Sequence, residues 1–164
     1  MGTVRLAFTP APAHVRTARL VGVAVARRAG VADAIIDEVR LAIGEACSRA
    51  VALHRRHKLT DLVEVELTTD SQFTVRVTDR APANHTSSHP VVGTEPDKTD
   101  PFGLLLDPAG GEDTVEIGAV SDEDVAVGVS LTLLAGLVDD LAVLPGRDGV
   151  GSQVCMSWPA GKPS

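Results

Sequence analysis

Hydrophobic and polar positions change period several times along the chain, and each change predicts an element. Val4, Leu6 and Phe8 alternate with Arg5 and Ala7, which predicts a short strand over 3–8, ended by Thr9-Pro10-Ala11-Pro12. From 14 to 29 the spacing becomes three and four, with Val15, Ala18, Val21 and Val25 on one helical face and Gly30 as the closing residue. After a short link at 31–33, residues 37–54 form the most regular stretch. There Ile36, Val39, Ile43, Ala46, Ala50 and Leu53 make the packing stripe of an amphipathic helix. Period two returns at 62–68 and 72–78. Val63, Val65 and Leu67 oppose Glu64 and Glu66, and Phe73, Val75 and Val77 oppose Thr74, Arg76 and Thr78, with Asp70-Ser71 between. This predicts a β-hairpin with one solvated face, ending in Asp79.

The pattern then dissolves. Residues 81–113 are rich in Pro, Gly, Asp, Thr and His, with one brief apolar run at 102–106. Long irregular stretches of this kind serve as lids or binding loops, and a lid over about 80–127 is expected. Within and after it the sequence predicts a short strand at 115–120, a helix over 129–138 just after Gly128, and a strand at 141–144. A turn at Gly146-Arg147-Asp148-Gly149 and a last strand at 152–158 complete the pattern. Residues 1–158 thus read as one domain and 159–164 as a tail. The order strand, helix, helix, hairpin, loop, helix, hairpin predicts an α+β two-layer sandwich, helices gathered on one face of a mainly antiparallel sheet.

Composition narrows the function. The 164 residues are 44% hydrophobic but only 2% aromatic, so the core is aliphatic and the platforms that stack bases are missing. A net charge of −7 argues against direct nucleic-acid contact and suits a basic protein partner. The N-terminus lacks a basic segment followed by an apolar run, and no apolar run reaches membrane-span length; a cytoplasmic protein is expected. Cys47 and Cys155 read as two buried thiols in a reduced compartment.

The candidate chemistry sits at element ends. Glu45 and Arg49 lie one turn apart on the central helix, a spacing that by itself gives an ordinary ion pair worth roughly 0.2–0.5 kcal/mol. Asp79 at a strand end can accept a hydrogen bond from an adenine amino group. Gly128 at a helix start lets backbone N–H groups approach phosphates, and a Glu beside them can orient or deprotonate an attacking hydroxyl. The run His54-Arg55-Arg56-His57-Lys58 places cations at a helix C-terminus, where the macrodipole favours them. His54, His57, His85 and His89 therefore read as surface histidines rather than metal ligands, and Ser87-Ser88 as loop serines; no metal site is expected.

Four motifs carry a family resemblance. Gly44-Glu45-Ala46-Cys47-Ser48-Arg49-Ala50-Val51, Val75-Arg76-Val77-Thr78-Asp79-Arg80-Ala81-Pro82, Gly128-Val129-Ser130-Leu131-Thr132-Leu133-Leu134 with Val138-Asp139-Asp140-Leu141, and Gly151-Ser152-Gln153-Val154 follow one another in order. They resemble the GHKL (histidine kinase/Hsp90-like) ATPases, and within them the anti-sigma factor serine kinases of bacterial partner switching. The resemblance implies a Bergerat-type ATP fold and Mg-ATP under a mobile lid. It implies two activities: phosphorylation of a serine on an anti-anti-sigma (STAS) protein, and sequestration of a sigma factor. A homodimer is implied as well. Carried over, Glu45 is the general base, Asp79 contacts adenine, Gly128 and Ser130 fall in the phosphate loop, and Gly151 and Ser152 border the base pocket.

The departures are as specific. Arg49 stands where the family has its Mg-binding Asn, and an arginine has only donors. Ala81, Ala83 and Ser130 stand where the family has glycines. Two readings of Arg49 stay open: a direct fork to phosphate in place of the metal, or an inert pair with Glu45. Three functions follow, in order: a partner-switching regulator of kinase ancestry, with a pseudokinase acting only by protein binding as its alternative; a working ATP-dependent protein-serine kinase that tolerates Arg49; a nucleotide-sensing or purely structural module.

Overall fold

The computed structural model describes residues 2–82, 131–138 and 140–161. The chain divides into two compact units, Met1–Ala83 with Val120–Ser164, and Asn84–Ala119; the second lies outside the described residues. The expected lid beyond residue 82, the strand at 115–120, Gly128 and Ser130 also fall outside them.

Strand β1 (Gly2–Phe8) leads into helix α1 (Pro12–Arg28), a one-turn 3-10 segment (Asp33–Ile35) and helix α2 (Ile36–Arg56). Strands β2 (Val63–Thr69) and β3 (Gln72–Thr78) form the expected hairpin. Residues 131–137 form helix α3, and β4 (Asp140–Pro145) and β5 (Ser152–Pro159) form a second hairpin.

Both long helices end for readable reasons. Pro12 starts α1 where its missing N–H costs nothing. At the other end Gly30, at φ +79°, donates to the Arg27 carbonyl, and Val31 donates to Ala26. These are the paired bonds of a Schellman motif, in which a glycine reverses the chain at no steric cost. Helix α2 ends the same way with a residue less suited to it. Lys58, at φ +53°, donates to Arg55 and Leu59 donates to His54. Asp37 and Glu38 in the first turn of α2, and His54, Arg55 and Arg56 in its last, match the helix macrodipole.

Among the described residues one antiparallel five-stranded sheet has the order β1-β2-β3-β5-β4. Strand alternation gives it two distinct faces. Val63, Val65, Leu67, Phe73, Val75, Val77, Val154, Met156 and Trp158 point to one side and are buried. There they meet Val39, Ala42, Ile43, Ala46, Cys47 and Ala50 of α2, and α1 packs on α2. Each fully buried Val, Leu or Ile contributes about 1.5–3 kcal/mol. Trp158 stacks on Phe73 and donates Nε1–H to Glu38 at 3.1 Å, which fixes the helix layer to the sheet. The result is the α+β sandwich that the periodicities predict. Cys155 points to the opposite, open face and is half-buried, so only Cys47 is the fully buried thiol expected.

Candidate functional site at the ends of the two inner strands

The register of β3 on β5 decides what meets here. Thr78 pairs with Gln153, and one step further the Asp79 N–H donates to the Ser152 carbonyl at 2.9 Å. Asp79, just past β3, is thereby set against the start of β5. Gly151 precedes Ser152 at φ +74°, and a Cβ there would run into the Asp79 carbonyl oxygen. The close approach of the two strand ends therefore requires glycine at 151.

Asp79 is 2% exposed, and its carboxylate is fully engaged. Oδ1 accepts from the Ala81 N–H at 2.9 Å and the Ser152 N–H at 3.3 Å. Oδ2 accepts from the Ser152 hydroxyl at 2.6 Å and from Arg49 Nη1 at 3.4 Å. Arg49 Nη1 also donates to Ser152 Oγ at 3.3 Å. The partners the structure gives Arg49 are thus Asp79 and Ser152, where helical spacing alone suggests Glu45. Arg49 is itself buried, and its Nε has no hydrogen-bond partner among the described residues. Burial pushes the guanidinium below its usual range, and the charge and hydrogen bond of Asp79 pull it back up.

Glu45 lies partly buried on α2, one turn before Arg49. Of the residues singled out in the sequence, Arg49, Asp79, Gly151 and Ser152 are brought into one cluster. Gly128 and Ser130 are outside the described residues.

One residue of this neighbourhood was misread from sequence. His54, expected on the surface, is fully buried. Its Nδ1 lies 3.0 Å from the Asp61 carbonyl, and the Arg80 N–H donates to its Nε2 at 2.9 Å. The Arg80 bond makes Nε2 an acceptor and so places the proton on Nδ1, facing the carbonyl. His54 thus ties the end of α2 to the residue that follows Asp79. The packing stripe of α2 held the signal: His54 is four residues past Ala50 and three past Val51, both buried.

The described residues do not fit Mg-ATP as arranged. A carboxylate offers about four acceptor directions, and four donors already use those of Asp79, so none faces an adenine amino group. Arg49 supplies only donors where a cation needs a lone pair.

A model of the histidine kinase-like ATPase domain matches residues 8–158, nearly the whole chain. Among curated proteins none matches the chain. The helix layer on an antiparallel sheet, the Asp79 and Gly151-Ser152 strand ends and this match agree: the chain belongs to the histidine kinase-like ATPase domain family.

Proposed function

We propose that this protein is a partner-switching regulator of the anti-sigma type that works by holding protein partners, with the ATP pocket of its family locked by Arg49. The observation that carries the reading is the saturated carboxylate of Asp79, whose fourth donor is an arginine in place of the family's metal-binding residue. The motif order and the net charge of −7 support a protein rather than a nucleic-acid partner, namely a sigma factor or a STAS-type anti-anti-sigma protein.

Calorimetric titration of ATP and ADP, with Mg and with EDTA, tests the lock. The expected result is no binding by the native chain and binding by Arg49→Asn, which releases one of the four acceptor directions of Asp79 and restores a lone pair. Mg-strengthened binding by the native chain, or transfer of phosphate to a STAS protein, overturns it. Co-purification with each sigma factor and STAS protein of the encoding genome tests the partner, and failure with all of them overturns the partner-switching role.

One observation favours a second reading. The Arg49–Asp79 contact is long and single, and Arg49 Nε is unpartnered among the described residues. Such an arginine can leave Asp79 and fork to a phosphate group. The same titration separates the two, because this version binds ATP equally well in EDTA.

A further inference from the structure

The face of the sheet turned away from the helices bears the polar side of the strands. It carries a groove of about 550 Å³. Its floor is a cross-strand row, Arg5 on β1, Glu66 on β2 and Arg76 on β3, set side by side by the registers. Glu66 accepts from Arg5 Nε at 2.9 Å and from Arg76 Nη1 at 2.7 Å, and Arg147 Nη2 stands 4.0 Å away. Beside the row, Arg80 pairs with Asp148 at 2.7 Å. The groove therefore holds four arginines against three carboxylates, Glu64, Glu66 and Asp148, in a chain whose net charge is −7. Locally, three guanidinium groups surround a single carboxylate.

This arrangement is not explained by the fold. Glu66 and Glu64 offset two of these three arginines, so among the described residues one positive charge remains uncompensated there. Arg5 and Arg147 are about three-quarters exposed and keep most of their N–H donors for other acceptors. Guanidinium forks match carboxylates. The row crosses β1, β2 and β3, two inter-strand steps or roughly 10 Å. That length equals about three residues of extended peptide.

We propose that this groove docks a short acidic segment of a partner protein, lying across the strands with its carboxylates on Arg5, Arg76 and Arg147. Glu66 occupies the site as an internal competitor and spaces the arginines until the segment arrives. The groove lies on the face opposite the helices, so it stands or falls apart from the nucleotide reading.

The test uses the full chain and a fluorescein-labelled hexapeptide of alternating Asp and Glu, followed by anisotropy at low salt. The expected result is saturable binding, weakened about tenfold or more by Arg5→Ala/Arg147→Ala and unchanged by Arg27→Ala/Arg28→Ala, which removes the same charge from α1. Glu66→Gln, which removes the competitor, is expected to tighten binding several-fold; this arm keeps the test sharp if the double variant loses its fold. Equal loss in both double variants means unspecific attraction and overturns the proposal. So does the absence of peptide binding, a weaker Glu66→Gln, or pyrophosphate binding as tightly as the peptide, which indicates a free-anion site.

Discussion

Arg49 and Asp79, thirty residues apart in the chain, meet as a buried ion pair with Nη1 3.4 Å from Oδ2. The contact is long for a charge-assisted bond, and Arg49 spends the same nitrogen on Ser152 Oγ. Asp79 is thus held chiefly by Ser152 and two backbone N–H groups. Removing the shortest of these bonds, in Ser152→Ala, is expected to cost about 1.5–3 kcal/mol. A thermal melt should drop by roughly 4–10 °C for a chain of this size. Combining it with Arg49→Met should give a non-additive loss, because both act on one carboxylate. Strict additivity in urea titrations of the four species would show that the three side chains are not a network.

His54 makes a different kind of prediction. His54→Leu keeps the volume but removes the partner of the Arg80 N–H and of the Asp61 carbonyl, two part-buried bonds. The expected loss is about 2–4 kcal/mol by urea denaturation, with a partial return in His54→Gln. A loss no larger than that of an ordinary surface substitution would mean that solvent reaches both groups.

The two thiols should separate by reactivity. Burial pushes the Cys47 thiol up to about 12, against a smaller opposing effect of Arg19. The thiolate is the nucleophile, so at pH 8 Cys47 stays almost wholly in the unreactive thiol form. Iodoacetamide followed by peptide mass mapping should mark Cys155 on the half-exposed open face and leave Cys47 untouched until denaturant is added. Early labelling of Cys47 in the folded protein would contradict the packing of α2.

Glu66 gives the chain an acid-sensitive contact. The hydrogen bond from Arg5, with the charges of Arg5, Arg76 and Arg147, holds its carboxyl below the usual range against partial desolvation. A depressed carboxylate stabilises the fold above its unfolded value of about 4.3, and that contribution is lost as pH falls through the folded value. Native protein and Glu66→Gln should therefore differ most near neutral pH and converge in acid, and added salt should shrink the gap. A stability difference that stays constant with pH would remove Glu66 from the acid response.

Much of this was legible in the chain because the local patterns are strong. The alternation at Val63–Thr69 and Gln72–Thr78 gave the hairpin, and the stripe from Val39 to Ala50 gave the helix that packs on it. Asp79 was marked as a candidate by its place at a strand end, and Ser152 by the family resemblance. What could not be read was pairing between distant segments. Nothing local to residues 72–78 says that their second neighbour is 152–159 rather than an earlier strand, and that register brings Ser152 onto Asp79. The partner of Arg49 was hidden for the same reason: helical spacing offers Glu45, and only the sheet brings in Asp79. Arg5, Glu66 and Arg76 each looked like ordinary solvated positions until two registers aligned them in a row.

Strand β5 has a further consequence. It is drawn from the later part of the sequence yet lies inside the sheet, between β3 and β4, and it opens with Ser152. A product cut short before residue 151 would lose an interior member and leave β3 with a bare hydrogen-bonding flank. It would also leave Asp79 without two of its four donors. During synthesis, the architecture and the carboxylate cluster therefore become complete in the same step, and a nascent chain cannot hold a finished pocket on an unfinished scaffold.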